Sequence, residues 1–199
     1  MTTSTRFNKG GVFMKAVLIN GSARNNGSCA FILNKMKEAL EVNRFDVIKY
    51  DIADMNVGYC KGCKKCYTDG RCVQNDDVQM IVKDILSSDY VAIATPSYWA
   101  DVPAQLKTFF DRNTPFGDTN PNRILVADKG IKGIGIAVRA GKSEKENEVI
   151  LDFIDHYYGH LGIKPIKRFS IRNVDNLSDL MKQDKEISEI YHFALSINC

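Results

Sequence analysis

Lys15-Ala16-Val17-Leu18-Ile19-Asn20-Gly21-Ser22-Ala23-Arg24-Asn25-Asn26-Gly27-Ser28-Cys29 opens the regular part of the chain, and its reading decides the fold. Lys15 to Asn20 is a short, β-branched, apolar run, the pattern of a strand buried on both faces. Gly21 to Gly27 are small or polar residues, and from Ser28 apolar residues recur at helical spacing. A buried strand, a tight turn and an amphipathic helix make the first half of a βαβ unit.

The alternation continues to the end of the sequence. Further strands are predicted over Asp46 to Asp51, Tyr90 to Thr95, Ile131 to Val138 and Ile166 to Ile171. Helices are predicted over Ser28 to Val42, Asp76 to Ser87, Val102 to Arg112, Ser143 to His160 and Leu177 to Ser196. Strands joined by crossover helices run parallel with right-handed connections. The expectation is an α/β fold: a doubly wound, five-stranded parallel sheet in the order 2-1-3-4-5 with helices on both faces. One domain spans residues 15–199, behind a flexible tail at 1–14 in which Met14 is either the true start or part of the first strand. Two segments break the rhythm, the cysteine-rich loop 59–74 and the polar stretch Asn113 to Gly130.

Composition sets outer bounds. With 199 residues, 44% apolar and 26% charged, the chain can bury one sizeable core. The 27 basic and 24 acidic residues are dispersed, and a net charge of +3 points to neither nucleic acid nor an anionic membrane. No apolar run approaches the roughly 20 residues of a membrane span, and the first 14 residues hold no secretory h-region, so a cytoplasmic protein is expected.

The first loop carries a chemical signal. The Ser22 and Ser28 hydroxyls, Arg24, backbone N–H groups and the positive end of the following helix all converge where a phosphate would sit. A helix start capped by Ser28 or Asn26, with no ligand, fits the same residues. Neither G-x-G-x-x-G nor a G-x-x-x-x-G-K-[ST] loop is present, so a single terminal phosphate suits the site better than a dinucleotide or triphosphate. FMN is a compound of that class.

The third strand runs into Thr95-Pro96-Ser97-Tyr98-Trp99-Ala100-Asp101-Val102-Pro103, at the switch point where ligands of such sheets bind. Tyr98 and Trp99 are flat groups able to stack on a ring or to pack under a loop, and the Pro96 to Ala100 backbone can hydrogen-bond a polar ring edge. In the next helix Lys107 and Asp111 are an i,i+4 ion pair and the phenylalanines are core. The fourth strand ends in Arg139-Ala140-Gly141-Lys142-Ser143, a third wall for the same slot. Arg139 lies either near the flavin or a nicotinamide phosphate, or on the solvated surface.

These loops resemble those of the NAD(P)H-dependent FMN reductases and related flavodoxin-like proteins, through Asn20-Gly-Ser-Ala-Arg-Asn-Asn-Gly-Ser, Thr95-Pro-Ser-Tyr-Trp, Gln105-Leu-Lys and Phe110-Asp-Arg112. The resemblance covers about Lys15 to Ser170. It implies a flavodoxin-like fold, with Ser22, Arg24, Gly27, Ser28 and Cys29 around the FMN phosphate and Pro96, Ser97, Tyr98, Trp99 and Ala100 along the ring. Arg139 and Gly141 complete the expected cofactor set. A homodimer or homotetramer is implied as well.

Four of the six cysteines fall in one loop, Cys60-Lys-Gly-Cys63-Lys-Lys-Cys66-Tyr-Thr-Asp-Gly-Arg-Cys72, with the spacing C-x2-C-x2-C-x5-C. That is a ligand supply for a 4Fe-4S cluster, whereas structural zinc usually takes two separated C-x2-C knuckles. Plain or redox-active thiols and zinc stay open as alternatives. Within the superfamily the loop resembles that of the iron-sulfur flavoproteins, which pass electrons between cluster and FMN. Lys61, Lys64, Lys65 and Arg71 either stabilise thiolates or form an exposed basic loop. Cys29 and Cys199 are read as a helix residue and a terminal residue.

His156, His160 and His192 fall on predicted helices and are read as lacking ligand spacing, and no Ser/His/Asp triad is visible. The leading expectation is an FMN-dependent oxidoreductase that moves electrons from NAD(P)H through FMN to a small acceptor such as a flavin or quinone. The alternative is an iron-sulfur flavoprotein exchanging electrons with a ferredoxin-like carrier. A zinc- or thiol-stabilised binding module with an empty flavin site is the third.

Overall fold

The computed structural model describes residues 14–123 and 130–197. The tail assigned to residues 1–14, apart from Met14, lies outside the described residues, as do 124–129 of the polar stretch and Cys199. Met14 itself is tied to the sheet edge, its carbonyl accepting from the Asp46 amide at 2.9 Å.

The five strands are β1 (Lys15–Asn20), β2 (Asp46–Asp51), β3 (Tyr90–Pro96), β4 (Lys132–Val138) and β5 (Lys164–Ile171). They form one parallel sheet in the order β2-β1-β3-β4-β5, as expected. The order reverses at β1, so the carboxyl ends of β1 and β3 part above a crevice, and both run into the candidate loops.

Period-two alternation divides the strand side chains between two cores. Val17 and Ile19 of β1, with Val91 and Ile93 of β3, pack beneath α3 (Val78–Leu86), α4 (Ala104–Asp111) and α5 (Lys145–His160). Ala16 and Leu18, with Ala92, Ala94, Ile134 and Ile136, pack beneath α1 (Ser28–Val42) and α7 (Asp184–Ser196). Both faces of the central strands are therefore dry, which is why these strands read as unbroken apolar runs.

Three predicted helices begin two residues late, at Val78, Ala104 and Lys145. β5 begins two residues early, at Lys164, and β4 one residue late. A larger difference lies at the end of the chain. The single helix expected over Leu177 to Ser196 is two, α6 (Leu177–Leu180) and α7, although its apolar spacing runs through both. The Asn176 side chain caps α6 by accepting from the Ser178 and Asp179 amides. The Lys182 and Gln183 amides then close tight turns onto the Asp179 and Leu180 carbonyls, and the Gln183 side chain donates to the Arg172 carbonyl at 2.7 Å. The cysteine-rich loop also differs from expectation, since it contains a short helix, α2 (Cys66–Asp69).

Candidate functional site

The loop after β1 is fixed from three sides. The Gly21 amide donates to the Ala94 carbonyl of β3 at 2.8 Å, and the Gln105 side chain of α4 donates to the Gly21 carbonyl at 3.0 Å. A Cβ on Gly21 would lie 2.3 Å from Leu106 Cδ2, so only glycine lets α4 close on the loop. Asn20, fully buried, accepts from the Ser22 amide and donates to Asp51 of β2 at 2.8 Å. Ser22 Oγ in turn accepts from the Arg24 amide at 3.1 Å.

The helix that follows is left uncapped. Gly27, not Ser28 or Asn26, holds the N-cap position, no side chain caps the first-turn amides, and that turn has no acidic residue. The alternative of a side-chain cap is thereby corrected. Ser28 Oγ is buried without a hydrogen-bond partner. Free N–H groups, the positive end of a helix of 15 residues and an orphaned hydroxyl at one point are the features of an anion seat. Burial pushes the Cys29 thiol up to about 12 despite the charge of Arg24, so Cys29 is a neutral wall residue.

One cleft joins the three loops. Ser22, Arg24, Ser28 and Cys29 line it from the first, Pro96, Ser97 and Tyr98 from the second, and Val138, Arg139 and Ala140 from the third. Of the expected set, Gly27, Trp99, Ala100 and Gly141 stand outside its lining. Arg24 reaches across to the Asp175 carbonyl at 3.2 Å.

The second loop ends in a tight turn, with Tyr98 and Asp101 exchanging backbone hydrogen bonds at 2.8 and 3.0 Å. Trp99 and Ala100 both take positive φ, 55° and 61°. Such a pair defines a turn usually given to Asn-Gly, and left-handed geometry costs an L-residue roughly 1–2 kcal/mol. Trp99 does not pack under the loop, because it is fully exposed, and Tyr98 is 44% exposed.

Arg139 is not a solvated surface arginine. Its side chain is 13% exposed, pairs with Glu146 at 3.0 Å and donates to the Ser143 carbonyl at 2.7 Å, leaving Nε buried and unpartnered. Ser97 Oγ donates to the same Glu146 carboxylate at 3.2 Å, and the Ser97 amide donates to the Val138 carbonyl at 2.8 Å. Arg139 and Glu146 thus tie the second and third loops together. Gly141 makes room for this, since a Cβ there would lie 2.5 Å from the Arg139 guanidinium.

The cysteine loop is built differently. Cys60 and Cys63 are exposed, Cys72 is half-buried and Cys66 is buried, yet all four line one cavity of about 150 Å³. Among the described residues no three of the His, Cys, Asp and Glu side chains converge closely enough to hold a metal ion as they stand. The donor set suits a cluster or a soft metal, and the loop presents it around a cavity rather than closed on a point. Burial, with Cys72 next in effect, pushes the Cys66 thiol above its ordinary value.

Arg112 underlies this loop; the sequence marked it only as the end of the Phe110-Asp-Arg112 motif and gave it no role. It is 2% exposed and donates to the Gly58 carbonyl at 2.7 Å, to the Gln74 carbonyl at 3.5 Å and to both oxygens of Asp76. One guanidinium therefore holds both ends of the loop. Burial works against its charge, but Asp76 and Cys72 hold it above its ordinary value. Burial likewise raises the Asp76 carboxyl, and hydrogen bonds from Arg112 and from the Gly58 and Val78 amides outweigh it, holding the group below the usual carboxylate range. The signal available was that motif, beside the Lys107 to Asp111 ion pair, which does form on the outside of α4.

Comparison with known proteins agrees with this geometry. A family model described as NADPH-dependent FMN reductase matches residues 14–156. An iron-sulfur flavoprotein of Archaeoglobus fulgidus is 36% identical over 153 residues, 77% of this chain and 66% of that protein. One of Clostridioides difficile is 35% identical over 102 residues, 50% of this chain and 45% of that protein. The chain thus spans less than two thirds of these curated relatives' own length. The structure of an FMN-dependent NADH-azoreductase from Bacillus anthracis, in complex with FMN, superposes with a TM-score of 0.68 at 13% identity, covering 90% of this chain and 97% of that one. At that identity it bears on the fold alone.

Proposed function

The chain belongs to the NADPH-dependent FMN reductase family, and from that premise we propose that it is an FMN-dependent oxidoreductase taking electrons from NAD(P)H and delivering them to a small acceptor such as a flavin or quinone. One observation carries the reading. The cleft at the switch point gathers all three loops and ends at the buried, unpartnered Ser28 hydroxyl beneath an uncapped helix. Those residues fit a mononucleotide phosphate.

In this reading Ser22, Ser28, Arg24 and the first amides of α1 hold the phosphate, and the Pro96 to Ala100 backbone faces the ring. When bound, FMN supplies a ring that accepts a hydride or single electrons. The residues of the chain position that ring: Gln105 and Leu106 fix the phosphate loop, and Arg139 with Glu146 fixes the ring loop against β4. The exposed Trp99 at the rim supports a homodimer or homotetramer in which a second copy covers it. No described helix is long and apolar enough to cross a membrane. Anaerobic mixing of the FMN-loaded chain with NADPH or NADH tests the assignment. Rapid bleaching of the flavin absorbance, restored by added quinone or free flavin, is expected, and a flavin that stays oxidised with both nucleotides would overturn it.

A second reading is favoured by a separate observation, the shared cavity of Cys60, Cys63, Cys66 and Cys72. A 4Fe-4S cluster held there would let the chain exchange single electrons with a ferredoxin-like carrier. Anaerobic reconstitution giving about four iron and four sulfide per chain supports it. Reconstitution that leaves no iron bound, with the flavin still reduced by NAD(P)H, leaves the first reading alone.

A further inference from the structure

The histidines of α5 were read from sequence as lacking ligand spacing, and the structure brings the two into contact. His156 and His160 lie one turn apart, and their Nε2 atoms face each other at 3.1 Å. The rings are perpendicular, at 90°. Two imidazole nitrogens bound ~2.1 Å from one ion at tetrahedral or right angles lie roughly 3.0–3.4 Å apart. The observed separation is that of a chelating pair.

Behind His160, Asp118 Oδ1 lies 3.7 Å from Nδ1 and also pairs with the Arg123 guanidinium. At 3.7 Å this is a charge contact rather than a hydrogen bond; it favours the N–H at Nδ1 and leaves the Nε2 lone pair directed at His156. With the proton at His160 Nδ1, the pair without an ion makes one hydrogen bond between its Nε2 atoms, in which His156 donates. On binding, that proton shifts to His156 Nδ1 and both Nε2 lone pairs are free, with no net proton released.

We propose that His156 and His160 form a two-imidazole site for a divalent transition metal ion of the zinc, nickel or copper class, with Asp118 as the carboxylate behind His160. His156 is exposed and His160 partly so, which leaves the ion open to solvent, and water completes its coordination. His160 also lines a cleft shared with Cys60, Phe116 and Gly117. A bound ion would join the end of α5, through Asp118, to the wall of that cleft beside the cysteine loop. The site is independent of the flavin assignment.

The test is proton NMR of the full chain carrying Cys60→Ser, Cys63→Ser, Cys66→Ser and Cys72→Ser, which removes the competing thiols, titrated with Co2+ as the probe. The ring signals of His156 and His160 are expected to move together under one equivalent of Co2+ while those of His192, on α7, serve as the control. His156→Gln should abolish the effect at His160, and Asp118→Asn should weaken Co2+ by roughly 10- to 100-fold. His160 signals that do not respond, or respond equally in His156→Gln, would overturn the site. Unchanged affinity in Asp118→Asn would overturn the part given to the carboxylate.

Discussion

The loop after β1 and the cysteine loop are two candidate cofactor seats secured in opposite ways. The first is short and held along its length: Gly21 against β3 and α4, Asn20 against Ser22 and β2, Ser22 against Arg24. The second is long and is held at intervals: Arg112 ties its two ends through Gly58, Gln74 and Asp76, Asn120 and Asn122 donate to the Cys66 and Tyr67 carbonyls, and Gln79 donates to the Cys72 carbonyl, while Cys60 and Cys63 stand exposed. A loop fixed along its length offers a preformed cradle with one group, Ser28 Oγ, waiting for a partner. A loop tied at its base and at Cys66 and Cys72 leaves the exposed Cys60 and Cys63 as the donors that close around what it binds.

The sharpest way to break this contrast is Arg112→Ala. Removing one member of a buried ion pair costs about 3–5 kcal/mol, because the Asp76 carboxylate is left buried without its charge partner. Urea unfolding should show that loss, and limited proteolysis should cut between Gly58 and Gln74. A loss under about 1 kcal/mol, as for a surface pair, would mean the loop is held elsewhere.

Arg24→Ala addresses the other seat. Losing a charge-assisted contact should weaken FMN by about 10- to 100-fold, leave riboflavin unaffected and barely change unfolding. Equal losses for both ligands, read by flavin titration, would take Arg24 away from the phosphate. Gly21→Ala tests the fixing of the loop itself. Its Cβ must displace Leu106, so a stability loss of about 1–3 kcal/mol is expected by thermal or urea unfolding, and a neutral result would show that α4 yields.

Ser28→Ala should have the smallest effect. Because Ser28 Oγ has no partner before a ligand arrives, the free chain should lose no stability, while FMN weakens by about threefold to tenfold. A stability loss in the flavin-free chain would show that the hydroxyl is already engaged.

Much of the first seat was legible in the sequence, and little of what secures the second. β1, β2 and α1 lie where local pattern alone puts them, because buried parallel strands and an amphipathic helix carry their signals residue by residue. The break between α6 and α7 was not legible, since it goes with the Gln183 side chain meeting the Arg172 carbonyl, 11 residues back beyond α6. The role of Arg112 was hidden for a similar reason: the motif names the residue, but its burial depends on Asp76, 36 residues away. Arg139 became a buried link only when Glu146 and Ser97 were seen beside it.

The central claim is that the cleft beneath α1 holds the phosphate of a mononucleotide. The most direct measurement is an equilibrium titration of the flavin-free chain with FMN and with riboflavin, which differ only in that phosphate. The account predicts FMN binding tighter by about 100-fold or more, as two charge-assisted contacts would give. Equal affinity for the two, or binding of neither, would contradict it.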